Sequence, residues 1–160
     1  MEFTDIAMEL SREAWQASFN HPFVLQLQEG TLEPSIFRYY LIQDAYYLKS
    51  FSEAYHLLAD KTSNEEMKRL LKQNAQSLVE GELFIRQQFF KELGISDQEM
   101  EQHPIAPTCY HYISHIYRQF AEPNLGIAFA SLLPCPWLYH DLGKALNRKP
   151  SPNPLYQQWI

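Results

Sequence analysis

The chain has 160 residues, 46% of them hydrophobic and 20% charged, and a formal net charge of -6. That length buries one sizeable core and gives no compositional case for a second, so residues 1–160 are expected to form a single domain. The acidic balance argues against a nucleic-acid partner, whose phosphates are gripped by Lys and Arg; no apolar run is long enough to span a bilayer, and the opening Met1-Glu2-Phe3-Thr4-Asp5 lacks the regions of a signal peptide, which predicts a cytoplasmic protein with no membrane partner.

Five glycines, no internal repeat, no low-complexity tract and no strand alternation predict an all-α class. A first helix is expected over roughly Thr4 to Ser18, ended by Asn20-His21-Pro22, and a short one follows through Val24 and Leu27 to the cap-like Gly30. Pro34 then opens a long helix in which Phe37, Tyr40, Leu41, Asp44, Tyr47, Leu48, Phe51, Tyr55 and Leu58 keep one continuous face. Ser63-Asn64-Glu65-Glu66 has capping-box spacing and starts another long helix through Leu70, Leu78 and Phe89 to Gly94. Ser96 begins a further turn. After Pro107 comes a tyrosine-rich helix, about Thr108 to Phe120, and Asn124 caps a helix that should run on through Pro134 and Pro136. From Pro150 through Pro154 the chain is expected to be irregular, with an apolar element over Leu155-Tyr156-Gln157-Gln158-Trp159-Ile160.

Chemistry is suggested first by Cys135, held between two prolines in the apolar run from Ala128 to Tyr139. In a helix interior each proline costs about 3 kcal/mol, removes a donor and bends the axis, which would turn the thiol toward the inside of the bend. Strain of that kind clusters at active sites; the blander alternative is a core kink with an inert cysteine. Cys109 and Cys135 make no disulfide framework and no CxxC metal pattern, so free thiols in a reducing compartment are expected. On the long helix, Asp44 interrupts the apolar face and projects from the same side as Tyr47, and such a carboxylate must be paired, hydrated or functional. Tyr139 follows Cys135 by four residues and would share its face but for the kink. Tyr110, Tyr112 and Tyr117 are all candidates to approach the thiol, and periodicity does not choose among them. A thiol, a carboxylate and several phenols suit addition to a flat, electron-poor heterocycle: the thiolate attacks carbon, the carboxylate grips a ring nitrogen or amino group, and the aromatics stack the ring. Phenolic hydroxyls bonded to the thiolate would raise its population at neutral pH.

At these residues the chain resembles a known family. Ile42-Gln43-Asp44-Ala45-Tyr46-Tyr47-Leu48, Tyr112-Ile113-Ser114-His115-Ile116-Tyr117 and Leu132-Leu133-Pro134-Cys135-Pro136-Trp137-Leu138-Tyr139 look like the TenA (thiaminase II) family, and His21-Pro22-Phe23-Val24 and Tyr156-Gln157-Gln158-Trp159-Ile160 fit as well. The resemblance implies an all-α bundle like haem oxygenase, usually a homotetramer, and a cofactor-free hydrolase of thiamin-derived aminopyrimidines. By motif, Cys135 would be the nucleophile, Asp44 would hydrogen-bond the ring nitrogen and exocyclic amino group, Tyr47 and Tyr112 would support thiolate and substrate, and Tyr139 would line the pocket. One branch of the family lacks the cysteine; Cys135 places this chain with thiaminase II. The family pattern continues past the Trp-Ile block into helices that supply another pocket aromatic and a glutamate proton donor. The sequence ends at Ile160, so a bundle incomplete at its C-terminal end is expected, and the intact motifs favour a partial chain over a degenerate remnant.

Three rivals compete. Glu53-Ala54-Tyr55-His56 has the Glu-x-x-His spacing of di-iron bundles, but no second such motif exists in the sequence. His21 could be weighed as a haem ligand, without support from its neighbours. A non-catalytic pyrimidine-binding or regulatory module would bind the same ligand without turnover, and the intact Cys135 counts against it.

Overall fold

A computed structural model describes residues 2–160, and among them lie ten α-helices, one π-helical segment and no strand. The chain divides into two compact units: the residues up to Glu33 together with Pro134–Ile160, and Pro34–Leu133.

In the first unit, α1 (Phe3–Phe19) begins where the Glu2 N–H donates to the Asp5 carboxylate at 3.0 Å. Next, α2 (Pro22–Glu29) carries proline at its first position, where the missing N–H has no helical partner to lose, and His21 caps it by accepting from Phe23 N–H at 3.2 Å. It ends at Gly30, whose φ of 74° lies in the left-handed region that glycine adopts without a Cβ penalty.

The second unit is organised by α3 (Pro34–Lys61), 28 residues long, which buries Phe37, Leu41, Asp44, Leu48, Phe51, Tyr55 and Leu58 as the sequence pattern predicts. Helix α4 (Glu65–Ser77) packs along it, with the Ser52 hydroxyl donating to Ala75 O at 3.2 Å. The cap of α4 is Asn64, accepting from Met67 N–H at 2.9 Å, one residue beyond the expected Ser63. The long helix expected as far as Gly94 is continuous but not uniform: Leu78–Leu83 is π-helical and α5 (Phe84–Leu93) follows. Phe89 of α5 meets Phe37 edge-on, ring centres 5.8 Å apart. Gly94 ends this stretch at φ 64°. Then come α6 (Asp97–Gln102), capped by Ser96, α7 (Pro107–Gln119) and α8 (Leu125–Leu132), capped by Asn124. Arg38 ties α3 to both α5 and α6, donating to Leu93 O and pairing with Glu99 at 2.6 Å.

Back in the first unit, α9 (Pro134–Leu146) and α10 (Pro154–Trp159) complete the order. Val24, Leu142 and Leu146 form one core cluster in it, flanked by Phe19, Phe23, Leu138 and Ile160. Two hydrogen bonds tie α2 and the residues after it to α10 and the residues before it: Ser151 Oγ donates to Leu27 O at 2.9 Å, and the Tyr156 hydroxyl donates to Leu32 O at 2.6 Å. The expected apolar element after Pro154 is therefore helical, with Asn153 as its cap.

The kink expected inside one helix is instead a boundary. Helix α8 stops at Leu132, Leu133 intervenes with φ -64° and ψ -41°, and α9 starts on Pro134. Pro134 and Pro136 are the first and third residues of α9, where backbone N–H groups have no partner within the helix. Within α9 neither proline removes a helical hydrogen bond, while Leu133 keeps helical φ and ψ across the break.

Candidate active site

Asp44 and Tyr47 lie on α3 and Tyr112 on α7, all in the second unit. Asp44 is 9% exposed and is paired with a cation that sequence reasoning missed: Arg86, 7% exposed, whose Nε donates to Asp44 Oδ2. Tyr40, one turn earlier on α3, adds a side-chain hydrogen bond to the carboxylate. Burial pushes the Asp44 carboxyl above its ordinary value, against the opposing pull of the Arg86 guanidinium. Behind Arg86, Glu82 Oε2 stands 3.6 Å from Nη2. A signal for Arg86 did exist in the sequence. It lies three residues before Phe89, on an apolar face, where a cation needs a partner for the same reason that Asp44 does.

The aromatic surface beside Asp44 is built from stacked rings. Tyr47 stacks on Phe51 with centres 5.2 Å apart and on Tyr112 with centres 5.6 Å apart, the latter pair only 8° from parallel. Of the three tyrosines that periodicity left open on α7, Tyr112 joins this stack. The Tyr117 hydroxyl is committed to Ser50 O at 3.0 Å and Glu53 Oε2 at 3.3 Å, and Tyr110 is exposed. Gln43, also missed from sequence, sets the approach of α7: its amide donates to Pro104 O at 3.2 Å and accepts from Ala106 N–H at 2.7 Å, pinning the segment that leads into Pro107.

Cys135 and Tyr139 lie on α9 in the first unit. Cys135 is a half-buried cysteine, outside any disulfide, at the second position of the helix. Because the break falls before both residues, their i, i+4 relationship on one face is intact. Tyr139 meets Trp159 edge-on at 6.2 Å and borders a hollow of about 290 Å³ that His21, Val24, Leu138 and Leu142 also line.

Neither metal-based rival gains a ligand set. Glu53 receives the Tyr117 hydroxyl and His56 is exposed, while His21 is occupied in capping α2. Among the described residues no group of three His, Cys, Asp or Glu side chains is placed to hold a metal ion.

A family model described as TENA/THI-4/PQQC matches residues 10–160. An aminopyrimidine aminohydrolase from Bacillus subtilis is 35% identical over 160 residues, covering 100% of this chain and 68% of that protein. A second aminopyrimidine aminohydrolase, from Halalkalibacterium halodurans, is 30% identical over 162 residues, covering 100% of this chain and 72% of its own. Among solved structures, a TenA homologue from P. horikoshii OT3 is 26% identical and superposes with a TM-score of 0.90, covering 99% of this chain and 75% of that one. The fold is thus the all-α, haem-oxygenase-like one.

Proposed function

Because the chain belongs to the TENA/THI-4/PQQC family, we propose that it is a thiamin-salvage hydrolase that replaces the amine of 4-amino-5-aminomethyl-2-methylpyrimidine by water, releasing ammonia. Thiamin itself would be cleaved by the same route. The observation that carries the reading is the match to relatives named for this activity along the whole chain.

In this reading the Cys135 thiolate adds to a ring carbon, and the displaced electron pair moves to a ring nitrogen that carries a proton. The amine, protonated as its ammonium, then leaves the methylene carbon as neutral ammonia, water adds there and gives up a proton, and departure of the sulfur as thiolate restores the aromatic ring. Asp44 hydrogen-bonds the ring nitrogen and the exocyclic amino group. Tyr47 and Tyr112 hold the flat ring, in keeping with their parallel stack, and Tyr139 lines the pocket. No step calls on a cofactor. Two cysteines without a disulfide framework suit a reducing compartment, which supports a cytoplasmic location, and the family resemblance supports a homotetramer with residues 1–160 acting as one domain.

The test is ammonia release from the aminomethyl pyrimidine by the protein and by Cys135→Ser, with ligand binding followed in parallel. Turnover that the substitution abolishes supports the hydrolase. Binding without turnover would replace it with a pyrimidine-binding module, and equal turnover by the serine variant would remove Cys135 from the chemistry.

A further inference from the structure

Asp44 and Arg86 are the charged side chains that the described residues bury, at 9% and 7% exposure. Such a pair is weak evidence for stability, because the cost of taking two ions out of water can exceed their attraction, and apolar replacements of equal volume are often as stable. Its position therefore calls for a chemical account. The pair falls on the carboxylate assigned to the pyrimidine ring.

We propose that Arg86 is a positioning residue of the aminopyrimidine site, holding Asp44 as an oriented carboxylate so that the proton shared between Asp44 and the ring nitrogen rests on the ring. The inference rests on the role given to Asp44 above. A carboxylate can only accept hydrogen bonds, so it satisfies both the exocyclic N–H and the ring nitrogen only when that nitrogen is protonated. The protonated ring is the better electrophile: when sulfur adds to carbon, the electron pair released neutralises the ring cation. A protonated Asp44 would instead donate to the ring nitrogen and leave the ring neutral.

Four groups act on Asp44, and they come from different elements. Arg86 arrives from the first turn of α5 and Glu82 from the π-helical segment before it. Tyr40 adds its hydrogen bond from α3 itself, and the Cys109 thiol on α7 feels the Asp44 charge while its Sγ lies 3.8 Å from Gln43 O. Arg86 is the one cation among them. Its Nε donates to Oδ2 and its Nη2 faces Glu82 at 3.6 Å, so the guanidinium is held between two carboxylates, and its bond to Oδ2 together with the Tyr40 hydrogen bond orients Asp44. The π-helical segment immediately before α5 is an irregularity that recurs at functional sites, and its extra residue per turn resets which face of α5 carries Arg86.

The test compares the protein with Asp44→Asn, Cys135→Ser, Arg86→Gln, Arg86→Lys and Glu82→Gln. Turnover of the aminomethyl pyrimidine is measured against pH, with melting curves to confirm folding. Arg86→Gln is expected to lose about 10- to 100-fold in kcat with a smaller change in KM, the usual effect of removing a group that orients a reacting one, and its acidic limb should move to higher pH. Arg86→Lys keeps the charge without the fork and should recover part of both. If Arg86→Gln does not fold, Arg86→Lys and the half-exposed Glu82→Gln decide: removing the Glu82 charge should move the acidic limb to lower pH. A folded Arg86→Gln with wild-type kcat and pH profile overturns the inference, as does wild-type behaviour of both Arg86→Lys and Glu82→Gln. If either occurs while Cys135→Ser and Asp44→Asn are inactive, the inference fails alone. A wild-type protein that neither binds nor turns over the pyrimidine overturns the functional reading and the inference with it.

Discussion

The phenol rings of Tyr47 and Tyr112 lie parallel to within 8°, their centres 5.6 Å apart, and so join the middle of α3 to the middle of α7 by a stacked contact. Tyr47 also stacks on Phe51, which meets Tyr55 edge-on at 5.1 Å, so the pair ends an aromatic row running one helical turn at a time along α3. Such a pair contributes about 0.5–1.5 kcal/mol beyond the area it buries. A double-mutant cycle of Tyr47→Ala and Tyr112→Ala, read by denaturant unfolding, is expected to show coupling in that range. Tyr112→Phe should keep it. Loss of the coupling in the phenylalanine variant would assign the contact to the hydroxyls instead of the rings.

Gln43 offers a sharper structural test. Its buried amide satisfies both Pro104 O and the Ala106 N–H, so Gln43→Ala orphans two backbone groups at once. Leaving a buried polar group unsatisfied costs about 1–3 kcal/mol. Pro104 is exposed and Ala106 half-buried, so a loss at the low end of that range is expected, with amide exchange at Ile105 and Ala106 changing first. An unchanged unfolding midpoint would mean that water replaces the amide without loss.

Residues 43, 44 and 86 show where sequence reading stops. The 3.6-residue period along α3 gave the correct buried face, and Asp44 stood out because a charge on that face has to be accounted for. Its partner is 42 positions away, and nothing local in the chain specifies which cation crosses to it. Periodicity fixes a face, whereas pairing depends on how helices are brought together. Gln43 was hidden for a related reason: a glutamine beside a conspicuous aspartate reads as polar surface until the 104–106 segment is seen folded onto it. The π-helical turn at 78–83 was equally silent, since Leu78-Val79-Glu80-Gly81-Glu82-Leu83 keeps an ordinary helical composition. Helix starts were partly legible because caps are local: Asn124 was expected as a cap and Ser96 as the start of a turn, and both accept from a backbone N–H two or three residues on, whereas Asn64 caps α4 in place of Ser63 and the caps His21 and Asn153 were not anticipated.

Two glycines with positive φ separate backbone strain from crowding. A Cβ on Gly94, at φ 64°, would meet nothing within 4 Å, so Gly94→Ala should cost only the left-handed penalty of about 1–2 kcal/mol. A Cβ on Gly30, at φ 74°, would lie 2.8 Å from Pro152 Cγ and 3.3 Å from Asn153 N. Gly30→Ala is therefore expected to be the more destabilising of the two, because the segment before α10 must shift as well. Equal unfolding free energies for the two variants would show that Pro152 yields freely.

The Cys109 thiol is pushed above its ordinary value, first by burial and then by the Asp44 charge. Since the folded state holds the proton more tightly than the unfolded chain, the stability this confers is complete below the ordinary thiol range and is lost as pH rises through the raised value. In a Cys135→Ser background, iodoacetamide should modify Cys109 slowly at neutral pH, and the rate should climb only at pH above that of a free cysteine. Asp44→Asn should move the curve part of the way down. A free-cysteine profile in the folded protein would contradict the burial of this side chain.

Pro134 and Pro136 separate the two accounts of the cysteine turn most cleanly, because those accounts predict opposite signs. Were the prolines interior to one bent helix, each would cost about 3 kcal/mol and replacement by alanine would stabilise the fold. The structure ends α8 at Leu132 and uses Pro134 and Pro136 in the first turn of α9, where no N–H is missed and the fixed φ suits the helix. In that setting proline stabilises by restricting the unfolded chain, so Pro134→Ala and Pro136→Ala should each lose about 0.4–1 kcal/mol. The experiment is a denaturant titration of both single variants. Higher stability in either variant would restore the strained kink and with it the idea that Cys135 is presented by backbone distortion; a small loss leaves Cys135 presented by an unstrained helix start.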